Sequence, residues 1–344
     1  MKPSKKNPTV YDIAKEAGVS ISTVSRVLTG SAPVRQETRQ RVEEVMQKYN
    51  YQPNALARGL STKESRTLGF ILPDITNPFF STVFYEAEKR ALELDYTLFL
   101  CNSMNDSAIE SKYLRILTEK QVDGILFMGG RVNRVRTDPE LAQEMHDILE
   151  STPIVMINGR MKGVDCHRVY TDERAGILAL MEHFANTGHK TVGLIGGLPG
   201  ITAHDIKLRA FKQGVERYGL EYREEWIVPG KFSIDGGITA MELLLQVPEL
   251  PDAVMAINDV VAVGAIKTLE RHGLRVPDDI SIAGFDDIGL AAIYSPSITT
   301  VSQNFVELGR RAVEVLVDLI SGQNVRKEIV IQTSLVIRES CCKH

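Results

Sequence analysis

The chain has 344 residues, 43% apolar and 24% charged, the composition of an ordinary soluble globular protein with room for two or three domains. No apolar run approaches the roughly 18 residues of a membrane span, and the basic start MKPSKKNPTV leads into no apolar stretch of a secretory signal. Charge is split by position: residues 1–66 carry 12 Lys/Arg against 6 Asp/Glu, whereas the remainder carries 28 against 38, so only the head is expected to meet a polyanion.

In chain order, Thr9-Val10-Tyr11-Asp12 has the form of a capping box, and Ile13, Ala14 and Ala17 follow at helical spacing. Gly18 ends that helix, since glycine enters a tight left-handed turn without penalty. Ser20 caps a second helix with Val24, Val27 and Leu28 on one face, leaving Ile21, Ser22, Ser25 and Arg26 on the others. Two short helices about such a turn predict a helix-turn-helix whose second helix enters a major groove. A third amphipathic helix, about 36–49, offers Val42, Val45 and Met46 to close a small core. Pro53-Asn54 then precedes Ala55–Leu60, a segment of under two turns, too short to persist as an isolated helix. The stretch STKES (61–65) reads as a polar tether.

Beyond the tether, apolar runs alternate with helical stretches: TLGFILP, YTLFLCN, VDGILFMG, PIVMIN, TVGLIGG, WIVPGKF, DAVMAIN and SIAGFDD. That rhythm predicts βαβ units in parallel sheets, with ligand bound at the strands' carboxyl ends. The strands are too many for one such sheet, so two lobes with a cleft between them are expected. The glycines of GGLPG (196–200) fit neither a dinucleotide fingerprint nor a phosphate cradle and read as a strand-end turn. Asp165-Cys166-His167 reads as a loop, because three adjacent residues cannot all face one ion. The four cysteines, Cys101, Cys166, Cys341 and Cys342, have no metal-ligand spacing and read as free thiols of a cytosolic protein. No nucleophile–base pair or metal cluster is recognisable, so neither an enzyme nor a cofactor is expected.

TVYDIAKEAGVSISTVSRVL followed by VRQETRQRVEEVMQKYNYQPNALARGL resembles the head and hinge of the lactose-repressor (LacI) family of transcription regulators. The resemblance continues through DITNPFF, QVDGILFMGG, NTGHKTVGLIGG, INDVVAVGAIKTLERHGLRVPDDISIAGFDD and SPSITTVSQNFVELGRRAVEVL. It implies an all-α head (1–53), a hinge helix and tether (54–65), and an α/β sensor with the fold of periplasmic sugar-binding proteins (66–340). The N-lobe would take about 66–169 and 304–332, and the C-lobe about 170–303 and 333–340. By the same resemblance Ile21, Ser22 and Arg26 read bases, with Arg26 suited to a bidentate contact on guanine. Tyr11, Ser20, Thr23 and Ser25 hold phosphates. The hinge residues Asn54, Ala57 and Leu60 cap the hinge helix, pair it with its twin and wedge into the minor groove. Arg35 stands where the family more often has a small capping residue.

Phe79, Phe80, Asn158, Asp172, Lys207, Phe232, Asn258 and Asp286 match effector-contact positions. Lys207 replaces the usual Arg; it keeps the charge and loses the planar fork, leaving open an anion contact, a degenerate site or a protein co-effector such as a phosphorylated carrier. The implied protein is a cytoplasmic homodimeric regulator, a repressor on a pseudo-palindromic operator. Its small-molecule effector, a sugar or sugar derivative, would bind between the lobes. RESCCKH continues no heptad pattern, so a dimer is expected rather than a coiled-coil tetramer. A solute-binding transport protein is the rival class, disfavoured by the attached head.

Overall fold

A computed structural model describes residues 8–29, 32–51 and 64–341. The chain divides into two compact units, Met1–Arg66 and Thr67–His344. In the first, helices α1 (Val10–Ala17), α2 (Ile21–Thr29) and α3 (Gln36–Lys48) close on a core of Ile13, Ala14, Ala17, Val24 and Val42. Val27, Leu28, Val45 and Met46 pack around it, half-buried. The Thr9 backbone N–H and hydroxyl donate to Asp12 Oδ2 at 2.8 and 2.7 Å, which fixes the start of α1. Gly18, at φ 63°, occupies the left-handed turn that releases the chain into α2. Ser20 Oγ accepts the Thr23 N–H at 3.2 Å and caps α2, whereas Arg35 gives α3 no side-chain cap. Lys48 and Tyr49 both donate to the Glu16 carboxylate and lash the end of α3 to α1.

The second unit opens with β1 (Thr67–Leu72), α4 (Pro78–Glu93), β2 (Thr97–Asn102), α5 (Ser107–Glu119) and β3 (Gly124–Met128). A 3-10 turn (Gly130–Asn133), α6 (Pro139–Leu149), β4 (Ile154–Ile157) and β5 (His167–Thr171) follow. These strands, with β11 (Glu328–Ile331), form a parallel sheet in the order β11-β5-β4-β3-β1-β2. Next come α7 (Glu173–Asn186), β6 (Val192–Ile195), α8 (Thr202–Tyr218), β7 (Ile227–Val228) and α9 (Ile234–Leu244). The lobe continues with β8 (Ala253–Ala256), α10 (Asp259–Arg271), β9 (Ser281–Ala283) and α11 (Gly289–Ile293). Its parallel sheet runs β7-β6-β8-β9. β10 (Thr300–Ser302) pairs antiparallel with β12 (Ser334–Val336), while α12 (Phe305–Ile320) returns to pack on α4 and the first sheet.

Strands β3, β4, β6 and β8 are buried along their whole length, because helices cover both faces of each sheet. That is why they read as unbroken apolar runs. All eight expected runs contain strands; β5, β10, β11 and β12, short and polar in part, lie outside those runs. β5 stays in register with β11 as far as Thr171, so the first lobe's sheet runs two residues past the expected boundary at 169. Helices α9 and α10 cross at glycine distance: a Cβ at Gly237 would lie 2.2 Å from the Val261 carbonyl oxygen, and one at Gly264 2.2 Å from that of Ile234. The segment Asp165–His167 runs from loop into β5, with Asp165 paired to Lys327. Among the described residues no group of His, Cys, Asp or Glu is placed to hold a metal ion, and no helix is long and apolar enough to cross a membrane.

Candidate functional site

Most of the expected functional residues that the structure describes fall on two surfaces. On the head, burying Val24 turns the opposite side of α2 outward: Ile21, Ser22 and Arg26 are exposed, while Thr23 and Ser25 are half-buried. Tyr11, on α1, is 67% exposed, unusual for a ring that could have joined the core. Ser20 Oγ lies 2.8 Å from Ser22 Oγ and 2.9 Å from Thr23 Oγ1, a cluster of hydroxyls at the N-terminus of α2. Such a helix end, with outward-facing amides and the positive end of the helix dipole, suits a phosphate. Asn54, Ala57 and Leu60 lie outside the described residues.

In the second unit a cavity of about 310 Å³ opens between the lobes, beyond the carboxyl ends of the strands. Phe79, Phe80, Asn158, Lys207, Phe232, Asn258 and Asp286 all line it. Asn77 caps α4 by accepting the Phe79 N–H at 3.0 Å, which aims the two rings inward; they meet edge-on at 5.1 Å. Asn258 caps α10, with Oδ1 accepting the Val261 N–H at 3.1 Å. Asp172 is not among the lining residues: its carboxylate caps α7 by accepting the Ala175 N–H at 3.0 Å, and its carbonyl accepts the Thr333 hydroxyl at 2.9 Å. Its place is the crossing between lobes, outside the cavity wall.

The floor is a relay of side chains that spans the lobes. Asn158 Oδ1 accepts the Thr171 N–H at 2.8 Å, and Asn158 Nδ2 donates to Gln303 Oε1 at 2.8 Å. The Thr171 hydroxyl donates to the same Gln303 oxygen at 2.6 Å, and Gln303 Nε2 donates to Asp286 Oδ1 at 2.6 Å. Asn158 and Asp286 hold φ values of 48° and 112°, and Asn304 beside Gln303 holds 50°, a concentration of strained backbone of the kind found at functional sites. Burial pushes the Asp286 carboxyl up to about 7, against the opposing pull of Lys207 and Gln303. Behind it, fully buried Asp259 accepts from the Thr300 hydroxyl at 2.5 Å and the Ile288 N–H at 2.8 Å. Burial, reinforced by the charge of Asp286, pushes Asp259 up to about 8.

Lys207, 3% exposed, donates to the Ile257 carbonyl at 3.0 Å. Its Nζ lies 3.6 Å from Glu173 Oε1 and 3.7 Å from the centre of the Phe285 ring. Glu173 and Gln303 line the cavity but were not expected there. Neither stands at the end of an apolar run, so only their position after a lobe crossing could have flagged them. Arg134, from the 3-10 turn's trailing edge, was missed for the same reason.

A helix-turn-helix head on a two-lobed α/β body with an interlobe cleft defines a ligand-responsive DNA-binding regulator. Residues 9–54 match the bacterial regulatory proteins of the lacI family, and residues 181–341 match a periplasmic binding protein-like domain. The HTH-type transcriptional repressor PurR of Haemophilus influenzae (strain PittEE) is 34% identical over 339 residues, spanning 96% of this chain and 98% of that protein. The ribose operon repressor of Haemophilus influenzae is 33% identical over 333 residues, with 96% and 98% covered. A lac repressor dimer bound to operator and the anti-inducer ONPF superimposes with a TM-score of 0.87 at 26% identity, over 98% of this chain and all of that one. The chain belongs to the lacI family of bacterial regulatory proteins.

Proposed function

We propose that this protein is a transcriptional repressor that binds a pseudo-palindromic operator as a homodimer and answers to a small polyhydroxylated effector held between its lobes. The observation that carries the DNA assignment is α2, anchored by Val24 and presenting Ile21, Ser22 and Arg26 to solvent. Arg26 would take guanine bidentately and Ile21 a thymine methyl, while Tyr11, Ser20, Thr23 and Ser25 hold phosphates. Residues 54–65 would form the hinge, with Asn54 as cap, Ala57 at the twin contact and Leu60 as the wedge.

The body supports the dimer. β2 is an edge strand exposing Phe99 and Leu100, and neighbouring α4 exposes Tyr85 and Leu92. An apolar, open strand edge is an association hazard unless another chain covers it, and a second copy would do so. In the cleft, Phe79, Phe80 and Phe232 give an apolar wall, and Asn158, Asn258 and Asp286 present acceptors to hydroxyls. Effector binding would change the lobe angle and hence operator affinity, by a coupling commonly ~1–3 kcal/mol.

The full chain should select a two-fold motif from a randomised duplex pool. Arg26→Ala should then weaken that motif by about 1–3 kcal/mol and relax one base position in each half-site. Recovery of no symmetric motif, or an unchanged affinity for Arg26→Ala, would remove the assignment.

A further inference from the structure

The charges on the cleft wall do not balance. Asp74, Glu173 and Asp286 face Lys207 and Arg134, and the cations are unequal in availability. Arg134 is exposed at the rim, where water screens it. Asp74 is occupied by its own turn, accepting the Thr76 N–H at 2.9 Å and the Thr76 hydroxyl at 2.6 Å. Among the described residues Lys207 is the one buried cation of the wall, and its ammonium is committed to the Ile257 carbonyl, the Glu173 carboxylate and the Phe285 ring. Glu173 and Asp286 thus share a single ammonium at the bottom of a largely apolar cavity.

We propose that Glu173 is the charge-selective residue of the cleft. By holding Lys207 it restricts the effector to molecules that present hydrogen-bond donors, neutral polyols and their amino derivatives, and turns away phosphorylated and carboxylated ones. This rests on the cleft being the effector site. An anion at the floor would meet two carboxylates with no uncommitted buried cation, at a cost the apolar walls increase by lowering the local dielectric. A hydroxyl or ammonium instead finds acceptor lone pairs on both. Burial pushes the carboxyls of Glu173 and Asp286 up, and Lys207 pulls both back down, as expected of two carboxylates drawing on one ammonium. Asp286 is oriented by Gln303 and strained backbone, whereas Glu173 sits in the first turn of α7, so its replacement leaves the relay intact.

The test titrates the full-length protein with charge-matched probes on common scaffolds: glucose, glucosamine, glucose 6-phosphate and glucuronate, the same set on galactose and ribose, and inorganic phosphate. Thermal midpoint and calorimetry are the readouts. Wild type should bind neutral or amino members and no anionic one. Glu173→Gln, which keeps shape and removes charge, should free Lys207 and gain about tenfold or more for phosphate and the 6-phosphate, while the amino derivative loses a similar factor. Glu173→Asn gives the same comparison should the Gln variant fold poorly. An anionic probe binding wild type more tightly than its neutral parent overturns the proposal. So does a Glu173→Gln protein whose charge preference is unchanged while neutral sugars still bind. If no sugar binds wild type yet Glu173→Gln gains phosphate, the carbohydrate-effector reading fails and the role of Glu173 stands.

Discussion

The head and the cleft present their functional groups in opposite ways. On the head, Tyr11, Ile21, Ser22 and Arg26 stand exposed on two short helices, and a five-residue core holds them in place. In the cleft, Asn158, Asn258, Lys207, Asp286 and Gln303 are half to fully buried, and each already holds a protein partner. An exposed row of side chains needs only a stiff helix beneath it and is read by a surface as large as a groove. Buried polar groups must be satisfied before any ligand arrives, so the same hydrogen bonds that keep them stable also connect the lobes.

The contrast can be broken first at the head core. Ile13→Ala removes a fully buried side chain from a core of five and should cost about 2–5 kcal/mol, enough to melt the head while the body's transition stays in place. Calorimetry with hydrogen exchange separates the two; a joint shift would mean that they unfold as one. The body should carry its own pH signature. Asp259 and Asp286 have folded values of about 8 and about 7, above the usual carboxylate range, so between pH 4 and 8 the native state binds more protons than the unfolded chain. Body stability should therefore fall as pH rises through that window, with Asp286 ceasing to contribute near pH 7 and Asp259 near pH 8, and level off above it. Asp259→Asn mimics the protonated form and should flatten the slope in denaturant melts; an unaltered slope would assign the effect elsewhere.

Gln303→Ala would sharpen the comparison from the cleft side. It strips Asp286 and Asn158 of their bridge and should destabilise the body by about 1–3 kcal/mol, leaving the head's melting unchanged. The smallest effect is expected at the start of α3, where Arg35 provides no cap: Arg35→Ser should stabilise the head by about 0.5–1 kcal/mol in thermal melts. No gain would show that the cap position is satisfied by other means.

Local chemistry was legible along the sequence. The capping box at Thr9 and Asp12, the turn at Gly18 and the apolar stripe through Val24 each depend on neighbours within a turn or two. Six of the eight apolar runs, those of β1, β3, β4, β6, β8 and β9, announced strands because a strand covered on both faces has no polar alternation to hide it, whereas β2 and β7 are apolar in sequence yet only partly buried. Even Asp286 and Asn258 stood out by ending such runs.

What the sequence left undecided is everything set by partners far along the chain. Asp172 carries a carboxylate at a lobe crossing, and only the fold shows it spent on capping α7 while its neighbour Glu173 turns into the cleft. Gln303 bridges Asn158, 145 positions away, and Asp286, 17 positions away, a pairing no local pattern announces. Helix and strand patterns are set over a few residues by backbone geometry and burial. The charge of a binding site is set by which side chains converge in space, and for Lys207 and Glu173 that was decided by the packing of α7 against α8.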